Sequence, residues 1–340
     1  TTGASNTAMG YLALNLNTTG AENTAVGKVA LSANTTANSN VAIGVESLQD
    51  STTGASNTAV GTGSLKENTT ASNNTAVGNF ALRQTTTGAN NTAVGKNALL
   101  ADTLGSTAVA IGYQALTTQN FTSSTDSYNV AVGYNSGESS TTGTNNTFIG
   151  GLAGDSCTDG DHNTIVGFNS DLTSNGTSQV IVLGSQVTSQ AANNFTFGFG
   201  STDSNIAFGA TSISAPSDVR LKEDIQNETV GLGFVNDLRP VTFRWKKEKD
   251  IPSNMKTYVE DSDTRVMNGK YNHGFIAQEV KEVIDSHSDI KDGFDMWMED
   301  PTDGRQRVAE SALVPILVKA LQELSTKLDT ALARIAELEG

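Results

Sequence analysis

Ser217 and Lys222 are the two residues of this chain whose types and spacing best suit covalent chemistry. A serine hydroxyl becomes a nucleophile when a base removes its proton, and a desolvated lysine amine can act as that base near neutral pH. Asp218 favours the charged form of a nearby lysine, so burial of the amine has to outweigh its effect. Because the pair lies where two unlike halves of the sequence meet, it indicates a chain that is cut at this junction.

Ring size restricts how a cut directly after Ser217 can occur. Attack of the Ser217 hydroxyl on its own carbonyl carbon would close a four-membered ring, which is strained. Cleavage between Ser217 and Asp218 therefore requires a serine from a neighbouring chain, or else an acyl shift at the bond between Pro216 and Ser217. The sequence leaves both routes open.

The half of the chain before this junction is a repeat with almost no basic charge. Of the 21 Lys and Arg residues, only Lys28, Lys66, Arg83 and Lys96 precede residue 211. Glycines recur at intervals of 17 residues, each after an Asn-Thr-Ala-Val-like tetrad. The interval is longer once, and shorter, degenerate turns follow at Gly198 and Gly209. The regular glycines are Gly10, Gly27, Gly44, Gly61, Gly78, Gly95 and Gly112, then Gly133, Gly150, Gly167 and Gly184.

This fixed period predicts a mainly β fold in which residues 1–210 form a β-roll or β-helix shaft of stacked coils. The tetrad is typical of a short strand with Thr and Val on one face and Ala on the other. Glycine permits the bend that follows. Stacked coils then give ladders of Leu, Val and Asn. Since each coil carries few large apolar residues, we expect an intertwined or tightly packed homotrimer, with a single-chain β-helix as the alternative.

The repeat resembles a known architecture. Asn23-Thr24-Ala25-Val26-Gly27 and its copies are similar to the β-roll repeats in the heads of trimeric bacterial adhesins and in phage tail fibres. The resemblance extends over residues 1–210 and implies the architecture, whereas it carries little information about function.

Between Gly112 and Gly133 the interval is 21 residues, so four residues are inserted around Gln119 to Tyr128, and this insertion must loop out of the stack. Its aromatic residues, with two tyrosines nearby, could form a sugar-stacking surface, or the loop could pack on its own coil. The aromatic residues concerned are Phe121, Tyr128, Tyr113 and Tyr134.

Four residues could ligate a cation, namely Asp155, Asp159, Asp161 and His162. Asp-Gly is also ordinary turn chemistry, and the spacing of a calcium loop with its distal Glu is absent. We therefore expect no metal and no cofactor.

The last helix is predicted from a heptad seam over residues 313–340. Its apolar residues are spaced alternately by four and three, as in a coiled coil. Pro315 fits only the first turn of a helix, so the helix should begin near Leu313. A seam needs partner helices, which agrees with a trimer. The seam residues are Leu317, Leu321, Leu324, Leu328, Ala331, Ile335 and Leu338.

Between the junction, residues 211–217, and this helix, residues 218–312 predict a small α+β domain. We expect helices at 230–238 and 277–284, strands at 240–245 and 271–276, and a hairpin through 294–297 and 305–308.

Three motifs in this half, in the same order, resemble those of the peptidase S74 family of intramolecular chaperones, found in phage endosialidases, tail spikes and tail fibres. The resemblance covers about residues 217–340, and Arg220, Gly274, Gln278 and Glu279 are among the matching positions. The motifs are Ser217-Asp218-Val219-Arg220-Leu221-Lys222-Glu223-Asp224-Ile225, His273-Gly274-Phe275-Ile276-Ala277-Gln278-Glu279-Val280 and Leu313-Val314-Pro315-Ile316-Leu317.

This resemblance implies a domain that trimerises, templates the folding of the preceding β-structured stalk, and then releases itself by a cut between Ser217 and Asp218. It implies that Ser217 is the nucleophile, that Lys222 is the general base and that His273 supports the site. The chain would act once on itself as an autoproteolytic endopeptidase, with no turnover of foreign substrate. The alternative is that Ser217 begins a turn and Lys222 is a solvated surface residue.

Charge and composition weigh against other classes. The net charge of −15 argues against a nucleic-acid partner and provides no polybasic patch for a membrane. There is no apolar run of 18 residues, so we expect no membrane insertion. Cys157 is the single cysteine, which excludes an intrachain disulfide. The sequence starts inside a repeat, at Thr1, without a visible signal peptide, so we expect a fragment of a longer protein.

The sequence therefore predicts the distal part of a phage tail fibre or spike that attaches to a host cell. Its partners would be two further copies of itself and a glycan or protein receptor, and its location would be the virion after synthesis in the host cytoplasm. One alternative is the head of a trimeric autotransporter adhesin, although such proteins end in barrel strands rather than a heptad helix. Another is a tailspike whose depolymerase activity lies outside this chain, since no glycosidase carboxylate pair stands out.

Overall fold

The computed structural model describes residues 2–210, 212–255, 257–290, 294–301 and 304–339. It divides the chain into two compact units, Thr1–Leu221 and Lys222–Gly340. Thr211 and Gly340, which bound the predicted junction and coiled coil, lie outside the described residues. The predicted domain boundaries at 210, 217 and 312 remain predictions.

The first unit is a β-solenoid, as the 17-residue period predicted. Most coils add one three-residue strand to a parallel sheet, in which Thr24 pairs with Val41 and Ala25 with Ala42. The strands, in chain order, are β1 Thr7–Met9, β2 Thr24–Val26, β3 Val41–Ile43, β4 Thr58–Val60, β5 Thr75–Val77, β6 Thr92–Val94, β7 Gly105–Ser106, β8 Val109–Ile111, β9 Thr125–Asp126, β10 Val130–Val132, β11 Thr147–Ile149, β12 Thr164–Val166, β13 Val180–Ser185, β14 Asn194–Phe199 and β15 Ser204–Ala207.

Successive residues of each strand point alternately into and out of the coil, as expected for a pleated strand. In β4, Ala59 is fully buried, while Thr58 and Val60 are half-buried on the other face. The leucines four residues after six successive bends are also fully buried, namely Leu31, Leu48, Leu65, Leu82, Leu99 and Leu116. The alanine and leucine ladders are thus buried within a single chain, and the association of chains remains a prediction.

Buried asparagines tie each coil to its neighbours. The Asn57 side chain accepts a hydrogen bond from the Asn74 N–H at 2.9 Å and donates one to the Ala71 carbonyl at 2.9 Å. The Asn57 N–H in turn donates to Asn40 Oδ1 at 2.8 Å. A buried polar group left without a partner costs about 1–3 kcal/mol, so the ladder favours stacking in whole coils.

The bend after each strand requires glycine for two reasons. Gly44 has φ +136°, a region that residues with a Cβ rarely adopt. A Cβ at Gly44 would also lie only 2.5 Å from the carbonyl oxygen of Gly61 in the next coil. Neighbouring coils therefore approach too closely at this corner for any side chain.

The solenoid ends with a change of strand direction. β13 and β14 are six residues long and pair in parallel with a spacing of 14 residues rather than 17. β15 then pairs antiparallel to β14. The shorter spacing agrees with the degenerate turns of the sequence, whereas the reversal of direction was not predicted.

The four-residue insertion loops out of the stack as expected. Phe121 is buried, whereas Tyr128 is exposed. At the base of the loop, the buried Asp102 carboxylate accepts hydrogen bonds from Gln119 Nε2 at 2.7 Å and from the Gly105 N–H at 2.9 Å. Burial raises the pKa of Asp102, and these hydrogen bonds oppose that rise.

The second unit is a small α+β module that ends in a long helix. The strands form two antiparallel pairs, β16 with β17 and β18 with β19. The elements are α1 Leu232–Asp237, β16 Val241–Phe243, β17 Asn272–Gly274, α2 Ala277–Ser286, β18 Trp297–Glu299, β19 Gln306–Val308 and α3 Leu313–Glu339. The buried core consists of Val230, Phe234, Leu238, Val280, Met296, Leu313 and Ile316.

Helix α3 begins at Leu313, as Pro315 in its first turn predicted. Only its first turns contribute to the module core, through Leu313, Ile316 and Ala320. Slightly further on, Glu323 Oε2 accepts a hydrogen bond from the Leu232 N–H at the start of α1, at 2.9 Å. Within the described part of the chain, no helix combines the length and the apolar character needed to cross a bilayer.

Candidate functional site

The residues after Ser217 form a short turn stabilised by Asp218 and Arg220. Asp218 Oδ1 accepts a hydrogen bond from the Arg220 N–H at 2.9 Å, and Asp218 Oδ2 pairs with Arg220 Nη2 at 2.5 Å. The Arg220 guanidinium lowers the pKa of the Asp218 carboxyl below its ordinary value. The charge of Asp218 is thus engaged by Arg220, which reduces the opposition that Asp218 was expected to offer to a neutral lysine.

The predicted nucleophile and base belong to different units. Ser217 lies in the first and Lys222 in the second, and both side chains are exposed in the single chain while each interacts with other groups. A lysine general base has to be desolvated to lose its proton near neutral pH. Lys222 is exposed in the single chain and does not meet that condition. Its role as general base remains a prediction, and it requires that the Lys222 side chain become buried.

His273 lies on β17, opposite Thr242 on β16. Its Nδ1 is 3.4 Å from Thr242 Oγ1, at the edge of an open cleft of about 330 Å³ that Glu310 also lines. A Cβ on Gly274 would lie 3.0 Å from Glu310 Oε1, so glycine leaves room there for this carboxylate. The cleft brings an imidazole, a hydroxyl and a carboxylate together within the second unit.

The remaining motif residues lie on the first turns of α2. Glu279 forms a two-pronged ion pair with Arg239, in which Arg239 Nε donates to Glu279 Oε2 at 2.9 Å and Arg239 Nη2 donates to Oε1. Arg239 lowers the pKa of Glu279. Gln278, one residue earlier, is exposed. Glu279 therefore joins α2 to the segment between α1 and β16, which is a structural role.

Sequence reasoning missed Arg239 and also a second link in the module. His287 Nε2 lies 2.9 Å from Asp237 Oδ2, and its ring packs edge-on against Phe234 with centroids 5.3 Å apart. Both links join residues at least 40 positions apart in sequence. No local pattern signals such pairs.

Two of the four candidate cation ligands, Asp161 and Asp155, interact with other protein groups. Asp161 Oδ1 accepts hydrogen bonds from the Thr144 N–H at 2.6 Å and from the Thr144 hydroxyl at 2.9 Å. Asp155 lies beside Asp171 of the next coil, with Glu138 also near. Among the residues that the structure describes, no group of three or more His, Cys, Asp or Glu is arranged to hold a metal ion.

We expect Asp155→Asn to stabilise the solenoid near neutral pH. Burial, followed by the Asp171 carboxylate, raises the pKa of Asp155 to about 6. Protonated Asp155 is favoured in the folded state, so its stabilising contribution is complete below pH 4 and is lost as the pH rises through 6. The variant should therefore gain on the order of 1 kcal/mol at pH 7.5, after allowance for solvent screening, and little at pH 4.

Thermal unfolding at both pH values measures this difference. Asp159→Asn is the matched control, because Asp159 is an exposed turn residue of the same coil. An equal gain for Asp155→Asn at both pH values would contradict the assignment.

Comparison with known protein families gives a match that begins at this junction. No curated protein and no solved structure matches the chain. A family model does match residues 217–289, from the candidate nucleophile Ser217 through the His273 cleft to just beyond the end of α2. The segment that directly follows the β-solenoid thus matches the Peptidase_S74 family, the chaperone of endosialidase.

Proposed function

We propose that this chain is part of a phage tail fibre or spike, in which the solenoid serves host attachment and the C-terminal module assembles and then releases it. The observation that carries the proposal is the Peptidase_S74 match at 217–289, directly after a β-solenoid with a 17-residue period. A chaperone segment behind a solenoid shaft fits a protein of the tail fibre or spike type. The proposed location is the virion.

The proposed release is a single cut between Ser217 and Asp218. The Ser217 hydroxyl attacks a carbonyl carbon as Lys222 takes its proton, the peptide bond breaks, and the amine of the leaving segment takes up a proton. Water then hydrolyses the resulting ester and restores the serine. The exposure of Lys222 in one chain and the four-membered ring both favour a site completed by a neighbouring chain.

The proposed homotrimer rests on the seam of α3. Beyond the module core, its apolar residues are exposed in the single chain, as Leu321 at 65% and Leu328 at 58% show. A helix that exposes leucines in a heptad pattern is stabilised when other helices bury those leucines. We therefore propose that three copies pair along this seam, with no nucleic acid and no membrane as partners.

We expect the double variant Leu324→Asp, Leu328→Asp to lose the trimer. In a trimer the variant places three carboxylates at each of the two seam positions, and these cannot be desolvated without a large penalty. Sedimentation velocity of the full chain measures the result, and the matched control is Thr326→Asp, Thr330→Asp, which adds the same charge on exposed residues off the seam. A double seam variant that still sediments as a trimer would rule out this coiled coil.

A further inference from the structure

A column of aromatic side chains runs along one corner of the solenoid. Tyr113, Tyr134 and Phe168 each directly follow a bend glycine. The rings of Tyr113 and Tyr134, in neighbouring coils, are stacked with centroids 5.3 Å apart and planes 8° apart. On the other side of Tyr113, the Lys96 amine lies 5.8 Å from the ring centroid. These three aromatic residues are called the aromatic ledge below.

The ledge is open to solvent beside Tyr134. The same position in the next coil is Gly151, which has no side chain, and Phe168 follows one coil later. Tyr134 and Phe168 are 57% and 56% exposed. Neighbouring strands lie about 4.8 Å apart, so these two residues are separated by roughly 10 Å along the axis. The Phe168 ring leans toward Gly151, with Cδ2 3.5 Å from the position that a Cβ of Gly151 would take, so a sugar ring would stack on the exposed outer faces of Tyr134 and Phe168.

A second column, of amide side chains, runs next to the aromatic one. Gln114, Asn135 and Asn169 directly follow the three ledge residues. Their backbones are held in the left-handed conformation, with φ of 55°, 54° and 52°. The Asn135 side chain donates to Glu138 Oε2 and its Oδ1 is buried, whereas Asn169 is exposed and Gln114 is half-buried. The Gln114 and Asn169 amides thus follow exposed aromatic residues directly and remain accessible to a ligand.

The backbone that carries these side chains is held in place by hydrogen bonds to the preceding coil. The Asn135 N–H donates to the Tyr113 carbonyl at 2.9 Å, and the Asn169 N–H donates to the Gly151 carbonyl at 2.9 Å. Because the stacked coils fix the backbone, little conformational entropy is lost when a ligand binds. The sequence grouped these tyrosines with Phe121 and Tyr128, but Phe121 is buried and Tyr128 lies at the opposite end of β10.

We propose that the aromatic ledge, with the amides of Gln114 and Asn169 beside it, binds a saccharide chain of the host-cell surface. The apolar face of a pyranose ring stacks on an aromatic ring, and its hydroxyls exchange hydrogen bonds with amides. Lys96 at one end accommodates an acidic sugar, while the net charge of −15 disfavours a nucleic acid. This inference rests on the proposed attachment function and names the chemical class of its receptor.

The test is binding of the full chain to an array of purified bacterial capsular and O-antigen polysaccharides. We expect wild type to bind at least one of them, and Tyr134→Ala, Phe168→Ala to weaken that binding at least tenfold. Tyr128→Ala is the matched control, because it removes an equally exposed tyrosine that lies at the opposite end of β10, away from the ledge. Its binding should equal that of wild type.

Two further measurements separate the possible outcomes. Sedimentation shows whether the ledge is covered by a second copy, since the double variant would then change the oligomeric state, and that result overturns the inference. Adsorption of labelled chain to bacterial cells tests attachment itself. Absence of binding to every polysaccharide, or equal binding by the double variant, overturns the saccharide site. If cells still adsorb both proteins equally, attachment stands and uses another surface.

Discussion

Ser217→Ala is expected to abolish self-cleavage completely, so that a denaturing gel shows one full-length band where wild type shows two. The reason is that no other hydroxyl can replace the attacking oxygen at this position, and loss of a nucleophile removes the covalent route outright. The two wild-type products should end at residue 217 and begin at residue 218, which intact-mass measurement resolves to a single residue.

Two controls distinguish chemistry from folding. Ser214→Ala removes a nearby hydroxyl and should cleave normally, whereas Lys222→Arg keeps the positive charge but not a titratable base and should not cleave. If wild type and Ser217→Ala both ran as a single full-length band on the gel, the cleavage hypothesis would be wrong. Circular dichroism should show the same β content in every variant.

Mixed trimers decide whether the serine acts on its own chain. Ser217→Ala chains with one affinity tag, co-expressed with wild-type chains carrying another, should be partly cut if a neighbouring serine acts. They should remain intact if each chain cuts only itself. The ring-size argument and the exposure of Lys222 in the single chain both predict cutting of the alanine chains.

A chain that stops at residue 217 is expected to lose most of its yield of soluble trimer. The solenoid pairs nearly identical coils, as Thr58 on Thr75 and Thr75 on Thr92 show, so a slip by one coil between chains costs little. A trimerising helix at one end fixes the register before the coils stack. Without it, misregistered chains leave edges unpaired and aggregate.

The informative comparison is between the truncated chain and full-length Ser217→Ala, which keeps the helix attached. Soluble yield and sedimentation measure the difference, and we expect a drop of at least tenfold. Soluble trimers at normal yield from the truncated chain would show that the solenoid finds its register unaided.

The periodic half of the fold could be predicted from sequence because each coil repeats the same local signals. The glycine interval, the alternation of Thr, Ala and Val, and the asparagine ladder all appear in the structure. The reversal at β15 could not be predicted, since it occurs where the repeat has already decayed.

The candidate site was only partly predictable. The motifs located Asp218 and Glu279, but their partners had to come from the structure. Arg220 is two residues from Asp218, so their ion pair is local. Arg239 is 40 residues from Glu279, so their ion pair forms only when the module folds. The stacking of Tyr113 on Tyr134 was likewise hidden, because the insertion places them 21 residues apart rather than 17.

The close contact of coils at the glycine corners has a mechanical consequence. Backbone hydrogen bonds between strands run along the solenoid axis, so a pull along that axis loads the interfaces between coils in series, and the weakest interface yields first. Compression along the axis is resisted because the backbones of Gly44 and Gly61 are already in close contact, and the same contact recurs in successive coils. The solenoid should therefore behave as a strut, stiff under compression and prone to unwind coil by coil under tension.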